Sequence, residues 1–260
     1  MGSRNPQRFS LGGIGGGARP PRDLVVLLVV LFVTYSLQFF ASTAPLVALL
    51  RLTPAILQGF VWQIATYPFI GGGPVSVWFL VALLVVYWFG RDVFYGLGRK
   101  HFWRLFAWAT IGGGLVAVVV YLLQALSGAS PFIPFVLMQG QQVVAAVFIA
   151  AFATANRRAV IYLFFVLPIE ARWFLGIEIL LAFLGFLSTH DLPGFLGISA
   201  AVGLSYLYVR DGGLGRGLRQ TRLRLERWWI EKKLERVRRR RKLRVVKGEG
   251  RGEDRGSWVN

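Results

Sequence analysis

The chain has 260 residues, of which 55% are hydrophobic, and its formal net charge is +18. This apolar share exceeds that of an ordinary soluble domain, and it falls in long runs nearly free of charge, which is typical of a membrane protein. The sequence contains no cysteine, which excludes disulfides and thiolate chemistry.

The N-terminal segment, residues 1–23, is rich in glycine, proline and arginine. Such a segment cannot bury enough apolar surface to fold, so we predict a disordered tail. The apolar run at residues 24–44 has about the 20 residues that a full span requires. It lacks a small-x-small cleavage site, which favours a first transmembrane helix over a signal peptide. Residues 24–209 are therefore predicted to form one membrane domain.

The next segment, residues 45–73, is interrupted by Arg51 and Pro54 and is too broken to cross a bilayer. Its aromatic residues suit the headgroup level, so we predict an interfacial first loop. A short run at 160–166 has about seven apolar residues, too few to cross, and is also predicted to lie at the interface. Five further spans are predicted at residues 75–90, 103–124, 135–153, 173–187 and 194–209.

Basic residues occupy every second connection between the predicted spans, and the remaining connections hold only Arg51 and Asp191. By the positive-inside rule, this alternation predicts that both termini are cytoplasmic. From Arg210 onward the chain has 18 basic and 7 acidic residues, a net charge of +11. We predict that residues 210–260 form a basic cytoplasmic tail, helical over 216–246, which binds anionic lipid headgroups. A bacterial inner membrane is expected, because the chain is short and carries no organelle signal.

The middle of the chain carries a series of short motifs. A span ends in Asn-Arg-Arg at 156–158, Leu167-Pro168 follows, and Arg172-Trp173 opens the next span. Upstream, residues 62–66 read Trp-Gln-x-x-Thr before the second span. Over residues 60–208 this order resembles the rhomboid family of intramembrane serine proteases. The resemblance implies an all-α, polytopic, six-transmembrane-helix rhomboid-like bundle.

The catalytic motifs of that family are degenerate here. The nucleophilic serine of a rhomboid lies near the start of the fourth span, and its position falls on Gly140, which has no hydroxyl. The oxyanion-stabilising His and Asn of the second span fall on Trp78 and Ala82. The resemblance therefore implies a rhomboid pseudoprotease, a fold that has lost its nucleophile.

Two residues are candidates for the catalytic groups of an active protease, which is an alternative interpretation. His190, in the sequence Thr-His-Asp-Leu-Pro-Gly, falls where a rhomboid places its base at the start of the sixth span. Ser130 precedes Gly140 by ten residues and ends a Gly-Ala-Ser sequence. It could serve as a displaced nucleophile, although a serine before proline is also ordinary turn chemistry.

Polar residues within the predicted spans are candidates for a cavity. Gln139, Gln141 and Gln142 cannot attack a peptide bond, but with Trp78 and Gly140 they could line a retained binding cavity. The alternative is that these glutamines join helices without binding a ligand. Another candidate is Glu178 in the fifth span, either a functional carboxylate or a structural partner for a neighbouring helix.

We expect a rhomboid-like protein that binds transmembrane segments of client proteins between the second and fifth spans without cleaving them. One alternative is an active endopeptidase that uses Ser130 and His190. Another is a membrane tether that recruits a partner through the basic tail. No cofactor or metal is expected, because the two histidines have no cysteine or paired carboxylates nearby. Nothing in the sequence supplies a nucleic-acid-binding fold, so nucleic acid is not expected as a partner.

Overall fold

A computed structural model describes residues 20–128, 135–157, 159–163 and 167–211. Residues 1–19 of the predicted tail, Ser130 and the predicted C-terminal helix lie outside these ranges. The predicted tail extended to residue 23, but the first helix already begins at Arg22. The described residues are mainly helical, with one two-stranded sheet. Their α-helices are α1 (Arg22–Leu37), α2 (Ala44–Leu50), α3 (Gln63–Thr66), α4 (Val77–Leu97), α5 (Arg99–Leu126), α6 (Gly140–Ala155), α7 (Phe174–Thr189) and α8 (Leu192–Arg210). Short 3-10 segments occur at Pro54–Gln58, Tyr67–Phe69 and Ala171–Trp173.

Four helices in the described part of the chain are long and apolar enough to cross a membrane. They are α4, α5, α8, and α7 together with the turn that precedes it. The other two predicted spans correspond to α1 and α6, which have only 16 residues each. A span needs about 20 residues, so the helical membrane architecture is confirmed but six crossings are not.

The bounds of several helices differ from the prediction. The first helix was expected to reach residue 44, but α1 ends at Leu37 and a series of turns follows. The fourth was expected from residue 135, but α6 begins at Gly140. Between α4 and α5 only Gly98 interrupts the helix, with a φ of 77° that favours glycine.

Within the mainly helical described fold, a two-stranded β-hairpin that was not predicted lies between α6 and α7. Strand β1 (Val160–Leu163) pairs antiparallel with β2 (Leu167–Glu170), and Val160 lies opposite Glu170. The run 160–166 was expected to lie at the interface. It is too short for a spanning helix, and its β-branched residues favour a strand.

Helix α6 forms the centre of the bundle, since twelve of its sixteen residues are buried. It packs against α4 and α8, with further contacts to α5 and α7. The hydroxyl of Ser205 in α8 donates to the carbonyl of Val147 in α6 at 2.7 Å, away from solvent. This enclosure explains why a short helix can sit in the middle of the domain.

Helices α5 and α8 approach closely through small residues. A Cβ added to Gly113 would lie 2.8 Å from both the Gly197 carbonyl oxygen and the Ala201 Cβ. A Cβ on Gly197 would lie 2.8 Å from the Ala117 Cβ. The two helices therefore approach most closely around Gly113 and Gly197. Small residues spaced by four on both helices allow this backbone approach.

The helix ends segregate by charge. Asp23 at the start of α1 accepts bonds from Arg99 (2.7 Å) and Trp103 (2.8 Å) at the start of α5. The ends of α4, α6 and α8 also meet, around a shared cavity. We call this side the basic end. Among the described residues, the opposite end carries only Arg51 and Asp191 as charged groups, which agrees with the predicted alternation of spans.

Candidate functional site

The position expected for the nucleophile lies beside residues 71–74, Gly-Gly-Gly-Pro, which we call the glycine loop. Side chains from the second half of α1 and the residue after it hold this loop. Thr34 Oγ1 accepts from the first glycine N–H at 2.9 Å. Tyr35 donates its hydroxyl to the proline carbonyl at 2.7 Å, and Gln38 Nε2 donates to the third glycine carbonyl at 3.0 Å. The loop is therefore fixed along its length.

Arg51 joins this network as a partly buried cation. Its guanidinium donates to Gln38 Oε1 and, at 3.3 Å, to the Gly71 carbonyl. Burial lowers the pKa of the Arg51 guanidinium. Among the described residues no carboxylate forms an ion pair with Arg51. Hydrogen bonds to neutral amide and carbonyl oxygens stabilise its positive charge instead.

The other side of the glycine loop is held by the start of α6. Gln141 is 4% exposed, and its side-chain amide forms two hydrogen bonds with the Gly72 backbone. The same Gln141 amide donates to Gln139 Oε1 at 3.0 Å. Two of the three predicted cavity glutamines therefore contact each other and the loop. Their observed role is to join segments distant in sequence.

Gly140 is enclosed by backbone carbonyls. Its N–H donates to the Ile70 carbonyl at 3.2 Å. A Cβ at this position would lie 2.6 Å from the carbonyl oxygens of both Ile70 and Tyr67. Real Cβ atoms essentially never approach that closely, so the backbone itself fills the place expected for a serine side chain.

His190 does not lie on the sixth predicted helix. It ends α7 in the left-handed conformation, with φ 55°, and its N–H donates to the Phe186 carbonyl at 2.7 Å. Its side chain is exposed. The helix that follows begins only at Leu192, because Asp191 provides its N-cap and proline occupies its first turn. The placement of His190 at the start of that helix is thus corrected.

Asp191 was predicted only as a charged residue in a connection between two spans, yet it is fully buried at 0% exposure. Its carboxylate accepts from the N–H of Gly194 at 2.8 Å and from that of Leu137 at 2.9 Å. Burial raises the pKa of Asp191, and the surrounding backbone N–H donors oppose that shift. An aspartate directly before Leu-Pro is an N-cap signal that sequence reasoning could have used.

The remaining predicted cavity residues are dispersed. Trp78 is 73% exposed on the outer surface of α4, and Gln142 is exposed beside the buried Gln141. Glu178 lies in α7 and is partly buried, and its Oε2 atom is buried with no hydrogen-bond partner among the described residues. The structure therefore groups Gln139, Gly140 and Gln141 at the glycine loop, whereas Trp78 and Gln142 are exposed.

Two cavities lie at the basic end. One of about 370 Å³ is lined by residues of α6, the hairpin, α7, α8 and the turn before α7: Ala153, Arg157, Glu170, Arg172, Leu175 and Tyr206. Another of about 240 Å³ lies between the ends of α4, α6 and α8. Neither includes a predicted site residue. Within the described ranges no three His, Cys, Asp or Glu residues cluster as metal ligands.

Comparisons of the chain with protein-family models, with curated proteins and with solved structures find no match. The rhomboid resemblance accordingly stays a prediction that depends on motif order and helix spacing.

Proposed function

We propose that this rhomboid-like membrane protein binds transmembrane segments of other proteins along α7 and does not cleave them. The observation that carries the proposal is Glu178. Among the described residues its Oε2 atom has no hydrogen-bond partner, and it lies on a helix of which only 17% of the most apolar stretch is buried. That is the smallest buried share among the four candidate spans. A carboxyl group at bilayer depth is costly unless it is paired, and the Glu178 side chain as a whole is only partly buried, so a polar side chain on a second helix could pair with it.

The enclosure of Gly140 supports the absence of proteolysis. Cleavage by a serine mechanism requires a nucleophile within hydrogen-bond reach of a base. The expected nucleophile position has no space for a side chain. His190, the expected base, is exposed at the end of α7.

The surface available to a client lies between α4 and α7. Both helices pack on α6, and they contact each other through Phe89 and Phe174, whose ring centroids are 6.1 Å apart. On α7 the residues around Glu178 are apolar and outward-facing, for example Leu181 at 61% exposure. The charge segregation supports an orientation in which the basic end faces the cytoplasm.

The test uses the absence of cysteine, because an introduced cysteine is unique. Leu181→Cys, one turn from Glu178 on the same face, would be cross-linked in vesicles to single-cysteine transmembrane reporters. One reporter carries asparagine at mid-span and the other is all leucine. We expect the asparagine reporter to cross-link about fivefold better, since an interhelical polar contact contributes about 1 kcal/mol.

Glu178→Leu in the same background should remove this preference, while Glu178→Gln should keep it, since an amide also donates and accepts. Leu180→Ala is the matched control, because a residue two positions away lies on a different face. Equal cross-linking of both reporters in all variants would contradict the proposal. Reporter cleavage that disappears in His190→Ala or Ser130→Ala would instead identify an active protease.

A further inference from the structure

Tyr206, which lines the larger cavity at the basic end, faces two arginines, and one of them, Arg157, also lines the cavity. Arg157 lies with its guanidinium carbon 5.8 Å from the centre of the Tyr206 ring and donates to the Tyr206 hydroxyl at 3.3 Å. Arg210 lies 6.0 Å from the same ring. In the described part of the chain, neither arginine forms an ion pair with a carboxylate. Two like charges near one ring repel each other, and an anion bound in the cavity beside Arg157 would relieve that repulsion.

A second pair of charges borders the same cavity. Arg172 Nε lies 2.8 Å from Glu170 Oε2, and the two side chains are 60% and 44% exposed. Among the described residues, the charged groups that line the cavity are therefore Arg157, Arg172 and Glu170, and Arg210 adds a positive charge beside Tyr206. This excess of positive charge favours an anion such as a phosphodiester.

The walls of the cavity divide into a polar and an apolar part. Ala153 and Leu175 line it as well, and both belong to helices of the membrane domain. Trp173, 61% exposed, lies under the Arg172 guanidinium at 5.7 Å. Exposed tryptophan beside arginine and tyrosine at helix ends is typical of the bilayer interface. The polar headgroup of an amphipathic ligand bound here would contact arginine side chains, and its hydrocarbon chain would contact apolar side chains.

We infer that this cavity binds the phosphodiester of an anionic phospholipid, with the phosphate between Arg157 and Arg172 and an acyl chain along Leu175 and Trp173. Guanidinium groups suit phosphate oxygens because their donors form a planar fork. Basic cavities between transmembrane helices on the cytoplasmic side bind phospholipid headgroups. The residues that line the cavity all belong to the helical domain.

The inference is tested with the full-length chain in detergent, titrated with phosphatidylglycerol and read by native mass spectrometry. We expect Arg157→Gln and Arg172→Gln each to weaken binding of the tightest lipid about fivefold, since a basic residue contributes about 1 kcal/mol. Arg22→Gln is the matched control, because Arg22 is an exposed arginine at the same end of the domain. The tail is present in every variant, so its own lipid binding cancels in the comparison.

Further variants separate the lipid from a soluble anion. Arg157→Lys should weaken lipid binding by an intermediate amount, because lysine keeps the positive charge but lacks the planar set of guanidinium donors. Excess inorganic phosphate should compete weakly, because it makes no apolar contact. Competition by phosphate as strong as that by phosphatidylglycerol would assign the cavity to a soluble anion and overturn the lipid assignment. Equal losses in Arg157→Gln and Arg22→Gln would overturn it too, since binding would then follow overall charge.

Discussion

Gln141 and Gly72 form a reciprocal pair: the Gly72 N–H donates to Gln141 Oε1 at 3.0 Å, and Gln141 Nε2 donates to the Gly72 carbonyl at 2.6 Å. The side-chain amide thereby satisfies both backbone groups of one residue, as a neighbouring strand would. At this depth in the protein, unsatisfied backbone groups are costly. This pair therefore fixes the glycine loop over the start of α6.

The first prediction concerns that pair. Gln141→Leu should lower the free energy of unfolding by about 2–4 kcal/mol, because it leaves a buried N–H and a buried carbonyl without partners. Gln142→Leu is the matched control and should change stability by less than about 0.5 kcal/mol, because Gln142 is exposed. Thermal unfolding in one detergent compares them. Similar melting temperatures for the two variants would mean that water replaces the lost bonds.

A second prediction concerns the missing nucleophile. Gly140→Ser restores a hydroxyl at the expected position, but its Cβ would collide with the Ile70 and Tyr67 carbonyl oxygens. We expect a loss of about 1–3 kcal/mol in stability and no gain of proteolysis, because overpacking displaces the backbone. Gly176→Ala is the control, since nothing lies within 4 Å of a Cβ there. It should be neutral or stabilising by up to about 1 kcal/mol.

The outcome that would contradict the second prediction is a stable Gly140→Ser variant that cleaves a transmembrane reporter. Such a result would mean that the glycine loop moves away from α6 to open a site. Adding His190→Ala to that variant would then show whether the exposed histidine acts as the base.

Much of the helical layout was predictable from the sequence, since long apolar runs and charge alternation depend on local composition. The helices α7 and α8 lie within about two residues of their predicted bounds, as boundary uncertainty allows. The interruption at Arg51 and Pro54 correctly indicated a non-spanning segment. Predicting these features does not require knowing which segments distant in sequence contact each other.

The candidate site was less predictable because it depends on contacts between distant residues. Gly72 and Gln141 are 69 residues apart, and no local pattern indicates that one will pair with the other. The motif order located Gly140 but could not show which backbone encloses it. The β-hairpin was missed for another reason: a short run of apolar residues fits a strand and an interfacial segment equally well.

A third prediction concerns the α5–α8 interface. Gly113→Ala and Gly197→Ala should each lower stability by about 1–3 kcal/mol, because the added methyl would force the two backbones apart. Gly203→Ala, on the same helix as Gly197, has open space around its Cβ and should not destabilise the protein. Unfolding in mixed micelles measures all three. Equal stability of Gly197→Ala and Gly203→Ala would contradict the close approach.

The last prediction concerns Asp191, which connects the segment before α6 to the start of α8. Asp191→Ala should cost about 2–4 kcal/mol, because it removes an N-cap and leaves the partly buried Leu137 N–H without its acceptor. Asp191→Asn should cost less, since its one amide oxygen can still accept a bond and asparagine is a good N-cap. Melting temperatures near neutral pH test this order. An asparagine variant less stable than the alanine variant would contradict it.

The same residue gives the stability a defined pH dependence. Burial raises the pKa of Asp191 above its ordinary value of 3.8, so the folded state binds this proton more tightly than the unfolded state. Stability from this group is therefore greatest below that ordinary value and falls as pH rises through the raised pKa. The Asp191→Asn variant has no ionisable group at this position. The stability of the natural protein relative to Asp191→Asn should accordingly increase as pH is lowered from neutral toward 4, whereas an increase in the opposite direction would mean that the N–H donors of Leu137 and Gly194 outweigh burial.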